Sequence, residues 1–420
     1  MALLRILTGE VGFERFADIL GMSSEERNAR RKALGESFMP FKVTEYYTNL
    51  IKSEEEPYRT QMTNIILPPI GRKPFKGRFD PYGNKTYRQD ERAFLQHKYE
   101  KTLLLHIDDF CLSNCQFCYK VREIRHEDKK QITIDEKVDM ALDYLAEHPE
   151  IDNVLFTGGD PASFRRTGDL TNLIGRLIDY NGIRVVRFAT KGLAYDPERF
   201  MDKELLGFFS DVNSRQDKQV SIIAQMNHPA EMGETSRIAI KGLQEVGVQI
   251  RGQPAIIRGV NDSVETLIDL QRRFVDNKVI SYYLTVFMPV RGVEQYGIPL
   301  DEAFRNVAEA KRHLSGLEKK GVLLTSHDFG KFEICGFYPT PENPEKIVLK
   351  WHQAAMSKYL PESLKERIPT RPEDVLILNY KKGVMYCVDH IFRENGLPHF
   401  NTDGELVEEV GAMSAIPSKV

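Results

Sequence analysis

The chain has 420 residues, of which 41% are hydrophobic and 28% are charged, and its formal net charge at pH 7 is −3. These values are ordinary for a globular protein, and they give no general signature of nucleic-acid or membrane binding. No apolar run approaches a membrane span, and the apolar start, MALLRILTGE, is too short for a signal peptide. Free cysteines without an export signal predict a cytoplasmic protein.

A repeating pattern begins near residue 100, where short apolar runs rich in β-branched residues alternate with amphipathic stretches. This alternation predicts parallel βαβ units, whose right-handed crossovers let the strands curl into a barrel or partial barrel. The predicted strands are 102–107, 153–158, 185–190, 220–225, 248–257 and 280–287. The predicted helices lie near 134–147, 168–180, 233–246, 263–277 and 302–316, where apolar residues recur at helical spacing.

The fold class predicted from this pattern is α/β, with a partial (β/α)6 barrel over residues 99–320. Residues 1–98 look different and are predicted to form a mostly helical N-terminal region. Residues 321–420 include Pro- and charge-rich stretches and are interpreted as a C-terminal extension packed on the barrel. In such a barrel the functional site lies at the carboxyl ends of the strands.

Three cysteines follow the first predicted strand with the spacing C-x3-C-x2-C: Cys111, Cys115 and Cys118. A [4Fe–4S] cluster is usually held by four thiolates, so three would leave one iron open to a small molecule. The alternative is half of a zinc site with His106 or His126 as the fourth ligand. Structural zinc sites, however, pair such cysteines with a second Cys or His pair, which does not follow here. The odd total of five cysteines argues against a disulfide framework.

The second predicted strand ends in TGGDP, residues 157–161. Its two glycines allow the backbone to turn sharply and to come close to a ligand. Taken alone, the stretch is as typical of a strand-to-helix turn with Asp160 as a cap. After a cysteine-bearing first loop it resembles the glycine motif of radical S-adenosylmethionine (radical SAM) enzymes, which holds the amino-acid part of S-adenosylmethionine.

A narrower resemblance extends from residue 40 to about residue 350. Radical SAM enzymes of the lysine 2,3-aminomutase family carry SGGDP, R-I-G-T-R and H-F-N-H-P segments in that order. This sequence has TGGDP, RFATKG (187–192) and QMNHP (225–229), followed by RGQPAIIRGVND (251–262) and SYYLTVF (281–287). The resemblance implies a radical SAM barrel with three cofactors: a [4Fe–4S] cluster, S-adenosylmethionine and pyridoxal 5′-phosphate (PLP).

Carried over by motif, the resemblance assigns roles to individual residues. The cluster ligands are Cys111, Cys115 and Cys118, and Phe117 lies beside the adenine. The S-adenosylmethionine motif comprises Gly158, Gly159 and Asp160. Residues near the cofactor pocket are His228, Gln253 and Asn261, each of which is equally well explained as structural. The PLP phosphate is approached by Lys98 and Lys101, where the family has arginines.

The PLP aldehyde would bind Lys331, which matches the lysine ending the family's P-G-G-G-G-K loop. A Schiff-base lysine needs a neutral amine, which a desolvated or cation-rich pocket favours. Only one of the four loop glycines is present in TSHDFGKFEICGFYP, so an ordinary exposed lysine after a turn is the alternative interpretation.

Substrate residues depart from the lysine-specific pattern. Two aspartates of that pattern are replaced by Met288 and Leu324, although Asp328 lies near the second. Because a buried ammonium without a carboxylate partner is costly, free lysine is not the expected substrate. Arg291 is interpreted either as the partner of an acidic side chain, as in glutamate 2,3-aminomutases, or as a solvated loop residue.

The substrate α-carboxylate would be held by Lys120 or Arg122, and the family's C-terminal zinc-binding cysteines are missing, so no zinc is predicted. The predicted function is a radical SAM aminomutase that abstracts hydrogen from an amino acid and moves its amino group between C2 and C3. The alternatives are a PLP-independent radical SAM enzyme and, in another class, a zinc-stabilised binding protein. The expected partners are an amino-acid substrate, a flavodoxin- or ferredoxin-type electron donor and further copies of the chain, without nucleic acid or membrane.

Overall fold

The computed structural model describes residues 5–71, 77–78, 80, 87–89, 92–121, 132–163, 166–288, 290–338, 345–367, 375–385, 387–401 and 403–408. Contacts divide the chain into two compact units. The first unit comprises Met1–Arg72, Arg88–Pro254 and Asp269–Ser281, and the second comprises Lys73–Tyr87, Ala255–Ile268 and Tyr282–Val420. The predicted segments 1–98, 99–320 and 321–420 stay a prediction.

The strands are numbered in chain order. They are β1 Ile6–Thr8, β2 Lys42–Thr44, β3 Arg88–Gln89, β4 Arg92–Tyr99, β5 Thr102–Asp108, β6 Asn153–Gly158, β7 Val185–Thr190, β8 Gln219–Ala224, β9 Gln249–Gly252, β10 Ala255–Ile256, β11 Ile280–Ser281, β12 Tyr283–Val286, β13 Val322–His327, β14 Gly330–Tyr338, β15 Glu345–Ala354, β16 Val375–Tyr380, β17 His399–Phe400 and β18 Leu406–Val407.

The α-helices follow the same order. They are α1 Gly9–Leu20, α2 Ser24–Gly35, α3 Glu45–Ser53, α4 Tyr58–Ile66, α5 Ile134–Glu147, α6 Thr167–Ile178, α7 Gly192–Tyr195, α8 Lys203–Ser214, α9 Glu234–Glu245, α10 Val264–Asp276, α11 Leu300–Arg312, α12 Glu362–Arg367 and α13 Val388–Glu394. No helix in the described part of the chain is both long enough and apolar enough to cross a membrane.

The first unit is built on an eight-stranded sheet with the order β11-β9-β8-β7-β6-β5-β4-β3. Its strands run parallel from β5 to β9 and on to β11, whereas β4 and β3 are antiparallel additions. Side chains from β5 to β9 and from α5, α6, α8 and α9 form one apolar core. The predicted α/β class with parallel βα units is therefore confirmed.

The fifth and sixth predicted strands are each broken in two. Run 248–257 forms β9 and β10, and run 280–287 forms β11 and β12. The first halves, β9 and β11, pair in the sheet of the first unit, whereas β10 and β12 pair in the sheet of the second. The break in the earlier run falls at Pro254, which has no backbone N–H to donate to a strand ladder.

The second unit contains a six-stranded sheet with the order β10-β12-β13-β14-β15-β16. Its first three strands are parallel, and β13 to β16 pair antiparallel, each with the next. One sheet face packs with α11 and α13 in a core that includes Phe332, Trp351 and Tyr380. Alternate residues on β14 and β15, among them Lys331 and His352, are only partly buried.

Two elements of the first unit differ from expectation. Helix α8 lies between β7 and β8, where no helix was predicted, although Leu205, Phe209 and Val212 are buried on it at helical spacing. Strand β4 lies in the region expected to be mostly helical. The capping box at Thr133 and Glu136, which marks the start of α5, is present as predicted.

Candidate active site

The three cysteines lie on the loop that leaves the carboxyl end of β5 in the first unit. All three are partly buried. The backbone N–H of Cys118 donates to the carbonyl of Cys115 at 3.1 Å, which closes a tight turn between them. Lys42 Nζ donates to the carbonyl of Cys111 at 3.0 Å and thereby ties the loop to β2.

The pKa values of the Cys111 and Cys115 thiols are raised in the protein without metal. Burial raises the pKa of the Cys111 thiol well above its usual value, and nearby Asp160, Cys118 and Cys115 raise it further. Burial likewise raises the pKa of Cys115 to about 12, against the opposing effect of Lys191. The three thiolates would repel one another without a cation between them. Iron ligation displaces the thiol protons and supplies that positive charge, so the donor set fits a cluster.

The glycine motif at the end of β6 is packed directly against the start of the cysteine loop. Gly159 N–H donates to the Asp108 carbonyl at 2.5 Å, and Asp160 N–H donates to the Phe110 carbonyl at 2.8 Å. A Cβ on Gly158 or Gly159 would lie closer than 3.0 Å to those same carbonyl oxygens. Gly158 also has a φ of 129°, which side chains rarely allow. The two glycines are therefore required by the path of the cysteine loop itself.

Asp160 links the ends of two neighbouring strands. Its buried carboxylate accepts hydrogen bonds from Ala162 N–H at 2.9 Å, Thr190 Oγ1 at 2.6 Å and Lys191 N–H at 2.7 Å. Burial raises the pKa of this carboxyl, and the hydrogen bonds oppose the rise. The Asp160 side chain thus holds the glycine turn to the end of β7, and its bond from Ala162 N–H is the contact expected of a cap in a strand-to-helix turn.

Lys120 lies at the same glycine turn. Its buried ammonium donates to Thr157 Oγ1 at 2.6 Å and to the Gly158 carbonyl at 3.2 Å. Phe117, in the cysteine loop, is partly buried. The structure thus brings Lys120, Phe117 and the glycine motif together with the cysteines. Arg122 and His126 lie outside the described residues.

Lys98 and Lys101 lie near the opposite end of β5 from the cysteine loop. Lys98 is buried on β4, with Nζ 5.6 Å from the centre of the Tyr99 ring, whereas Lys101 is exposed just before β5. Because β5 has seven residues, about 20 Å of strand separates Lys101 from the cysteine loop.

Gln253, also in the first unit, donates its backbone N–H to the Ala224 carbonyl at 3.0 Å, and its side chain is partly buried.

A buried ionic network beside the cysteines was not predicted. Lys191 forms an ion pair with Glu231, and both side chains are at most 8% exposed. Glu231 also accepts hydrogen bonds from Tyr47 Oη at 2.7 Å and Asn227 N–H at 2.6 Å. Lys191 directly follows β7, at the carboxyl end of a predicted parallel strand. This position is the feature of the sequence that could have indicated that Lys191 belongs to the site.

His228 is fully buried and has both ring nitrogens engaged. Nδ1 accepts from Ala230 N–H at 3.2 Å, so Nε2 carries the proton and donates to Gln61 Oε1 at 2.8 Å. Burial, and to a lesser degree the charge of Lys191, lowers the pKa of His228 from 6.5 to about 3. These contacts correspond to the structural interpretation of His228.

The free energy of unfolding is expected to fall by about 2 kcal/mol between pH 7 and pH 5 because of His228. The unfolded ring takes up a proton near its ordinary pKa of 6.5, whereas the folded ring resists protonation down to about 3. The stabilisation is therefore complete above pH 6.5 and is lost as the pH falls. Urea unfolding of the apoprotein at both pH values measures it. A His228→Gln chain should show a correspondingly smaller decrease, and equal decreases in both chains would contradict the assignment.

In the second unit, Lys331 lies on β14 directly after the hairpin turn that joins β13 to β14. Its half-buried amine donates to Gln353 Oε1 at 3.2 Å and lies 5.2 Å from the centre of the Tyr283 ring. Tyr283 Oη in turn lies 2.8 Å from His352 Nε2. Gly330, the one remaining loop glycine, would bring a Cβ closer than 3.0 Å to the Gln353 carbonyl. A tight hairpin thus stands where the family has a glycine-rich loop.

The positions of the lysine-specific aspartates are apolar in the second unit. Met288 and Leu324 are each 1% exposed, and Met288 Sδ accepts from Thr325 Oγ1 at 3.4 Å. The nearby Asp328 carboxylate accepts from Arg78 at 2.9 and 3.3 Å, and Arg78 also pairs with Asp389 at 2.6 Å. Asp328 is therefore already neutralised by a guanidinium, 250 residues away in sequence.

The remaining predicted residues of the second unit make backbone contacts. Arg291 Nε donates to the Gly77 carbonyl at 3.2 Å, and its backbone N–H donates to the Arg78 carbonyl at 2.8 Å. Asn261 accepts from Ile257 N–H and donates to the Ala255 carbonyl, both at 2.7 Å. Asn261 therefore closes its own loop, which corresponds to its structural interpretation.

Comparison with known proteins assigns the chain to a family. Residues 106–270 match the family described as "Radical SAM superfamily". A protein of Aquifex aeolicus named "Putative L-lysine 2,3-aminomutase" is 31% identical over 334 residues, which cover 79% of this chain and 85% of that protein. The chain belongs to the lysine 2,3-aminomutase family.

Two further comparisons describe the relationship of this family member to other proteins. The L-lysine 2,3-aminomutase of Escherichia coli is 30% identical over 222 residues, 53% of this chain and 62% of that enzyme. Among solved structures, Streptococcus suis SuiB bound to S-adenosylmethionine aligns with a TM-score of 0.41 and 14% identity over 55% of this chain and 51% of SuiB.

Membership of the lysine 2,3-aminomutase family confirms the predicted resemblance and enzyme class. The chain is a radical SAM enzyme of the aminomutase type, and a [4Fe–4S] cluster with S-adenosylmethionine is its implied cofactor pair. The matched segment 106–270 spans the cysteine loop, the glycine turn and the Lys191–Glu231 pair.

Proposed function

We propose that Cys111, Cys115 and Cys118 hold the [4Fe–4S] cluster and that S-adenosylmethionine binds at its open iron. The main support is the pair of backbone hydrogen bonds between the cysteine loop and the glycine turn, from Gly159 to Asp108 and from Asp160 to Phe110. Because of these bonds, the cysteine loop and the glycine turn lie side by side at the carboxyl ends of neighbouring parallel strands, which supports the proposal. A site built on strand ends is held more precisely than one built on free loops.

When bound, the cofactor pair would supply the radical chemistry that removes a hydrogen atom from the substrate. The protein residues orient and shield this chemistry. Lys42 and Lys120 fix the two loops by donating to the carbonyls of Cys111 and Gly158. Phe117 would pack beside the adenine. Buried side chains around the loop exclude water, which strengthens the electrostatic interactions of the site.

For the aminomutase step we propose PLP on Lys331 and a contact of Lys120 with the substrate carboxylate. Lys98 and Lys101 lie at the opposite end of β5 from the cysteine loop, so they are not proposed as ligands of the PLP phosphate. The Lys331 amine lies 5.2 Å from the centre of the Tyr283 ring, and the position of Lys331 in the order of the family's motifs supports a Schiff-base role. The hairpin that replaces the glycine-rich loop supports the second candidate, a radical SAM enzyme that acts without PLP on another small molecule.

The proposed substrate is an amino acid without a distal ammonium group. Met288 and Leu324 offer no carboxylate, and the Asp328 carboxylate is paired with Arg78. Burying an ammonium there would therefore cost free energy without a compensating ion pair. A flavodoxin- or ferredoxin-type donor would supply the electron, and the active form would be a cytoplasmic homo-oligomer.

Anaerobic reconstitution with iron and sulfide tests this proposal. The protein is incubated with S-adenosylmethionine, dithionite, PLP and a pool of amino acids, and 5′-deoxyadenosine is quantified by mass spectrometry. We expect a basal yield that one non-basic amino acid raises about tenfold or more, with free lysine giving no increase. No 5′-deoxyadenosine under any condition would contradict the radical assignment.

Borohydride reduction separates the two candidates. Protein incubated with PLP is reduced and digested, and the pyridoxyl-labelled peptide is identified. The aminomutase candidate predicts a label on Lys331 that a Lys331→Arg chain lacks. A Lys350→Arg chain, changed on the neighbouring strand β15, serves as the matched control and should retain the label. An unlabelled Lys331 in an otherwise active protein would favour PLP-independent chemistry.

A further inference from the structure

The sulfur of Cys115 has a hydrogen-bond partner that the proposed function does not use. Tyr195 Oη lies 2.9 Å from the Cys115 sulfur, and Tyr195 is only 3% exposed. We infer that Tyr195 is a positioning residue that donates a hydrogen bond to the Cys115 sulfur and thereby raises the reduction potential of the [4Fe–4S] cluster. This inference rests on the proposed role of Cys115 as a cluster ligand.

The direction of this hydrogen bond follows from the chemistry of the ligand. In the free protein either the thiol or the phenol can donate. A cysteine that ligates iron is a thiolate and has no proton to give, so Tyr195 must then be the donor. A hydrogen bond to a charged acceptor in a buried site is stronger than one between neutral groups in water.

Tyr195 is held in place from several sides. Its ring packs edge-on against Tyr47, with centroids 4.8 Å apart. Its backbone carbonyl accepts from Thr44 Oγ1 at 2.7 Å, and its backbone N–H donates to the Lys191 carbonyl at 3.1 Å. Because the Tyr195 hydroxyl is already held in position, its hydrogen bond to the Cys115 sulfur costs little further conformational entropy.

The Tyr195 hydroxyl contacts the Cys115 sulfur directly, whereas the neighbouring charges act on it from a distance. Lys191 Nζ lies 5.3 Å from the centre of the Tyr195 ring, and its charge, which the buried carboxylate of Glu231 offsets only in part at Cys115, is left in place by a Tyr195→Phe substitution. Reduction adds an electron to the cluster and increases the negative charge on its sulfur ligands. A hydrogen bond to sulfur therefore stabilises the reduced form more than the oxidised form and raises the potential.

The test is a redox titration of reconstituted wild-type and Tyr195→Phe proteins, followed by the electron paramagnetic resonance signal of the reduced cluster. The substitution removes only the hydroxyl. We expect the equilibrium constant for one-electron reduction to fall about tenfold, which is a shift of about 59 mV to more negative potential. Iron content and secondary structure should match the wild type.

Tyr47→Phe is the matched control, because it removes a buried hydroxyl from the adjacent ring that is bonded to Glu231 and to the Met62 thioether instead of to a cluster cysteine. Its potential should stay at the wild-type value. Electron–nuclear double resonance in D2O should also show an exchangeable deuteron near the cluster in the wild type and Tyr47→Phe proteins, and none at that coupling in Tyr195→Phe.

An unchanged potential in Tyr195→Phe would overturn the inference, and so would equal shifts in both variants, which would indicate a packing effect. These outcomes are distinct from failure of the proposed function. If Cys115 is not a ligand, a Cys115→Ala protein will retain four irons and the cluster signal, whatever the Tyr195 variant shows.

Discussion

A chain with Cys118 replaced by alanine is expected to lose its cluster completely after anaerobic reconstitution. Iron should fall from about four per chain to background, because two thiolates cannot hold a [4Fe–4S] cluster that needs three or four. Formation of 5′-deoxyadenosine should fall below detection, since no cluster is left to pass the electron of the reductant to S-adenosylmethionine. Iron analysis, the visible absorption of the cluster and the cleavage assay measure the three consequences.

Cys335→Ala is the matched control, because Cys335 is an exposed thiol on β14 in the second unit. We expect this variant to load iron and to cleave S-adenosylmethionine like the wild type. A Cys118→Ala chain that retains four irons would refute the ligand assignment. One tightly held zinc in the wild type, lost together with Cys118, would instead support the zinc-stabilised binding protein considered from the sequence.

Replacing Gly159 with alanine is expected to destabilise the first unit by about 3 kcal/mol and to reduce cluster loading at the same time. The added Cβ would meet the Phe110 carbonyl closer than 3.0 Å, and backbone cannot move aside as a flexible side chain can. The cysteine loop must then shift and lose its hydrogen bonds from Gly159 and Asp160. Urea unfolding of the apoprotein and iron analysis after reconstitution report the two effects separately.

Gly207→Ala, in the same unit, is expected to change the free energy of unfolding in the opposite direction. Gly207 lies within α8, and a Cβ there would have no atom within 4 Å. We expect this variant to gain up to about 1 kcal/mol of stability, because alanine favours helix more than glycine does. Full stability and full iron loading in Gly159→Ala would show that the cysteine loop does not follow the path described.

The part of the site that could be predicted from the sequence depends on local patterns. Cys111 and Gly158 follow apolar runs of strand length, so their place at the carboxyl ends of parallel strands follows from the βα period. The same reasoning places Lys191 after β7. It does not reveal that Lys191 meets Glu231, because that pairing depends on how the next loop folds back.

Long-range pairs could not be predicted in this way. Asp328 is a plausible ammonium partner in the sequence alone, and only its ion pair with Arg78 removes it from that role. The hydrogen bond from Tyr195 to Cys115 joins residues 80 positions apart, and nothing in the period of the chain indicates it. The sequence predicts one strand over β9 and β10, because the apolar residues continue across Pro254. The backbone pairing does not continue there, and the two strands belong to different sheets.

The tight packing of Gly158 and Gly159 on the cysteine loop affects how the glycine motif should be used in searches for related enzymes. Selection for a well-folded loop is enough to retain both glycines, even in a descendant that has stopped binding S-adenosylmethionine. Conversely, a designer who grafts the cysteine loop onto another barrel must transplant the two glycines with it. The glycine pair is thus evidence for the path of the cysteine loop, and it is not by itself evidence for S-adenosylmethionine binding.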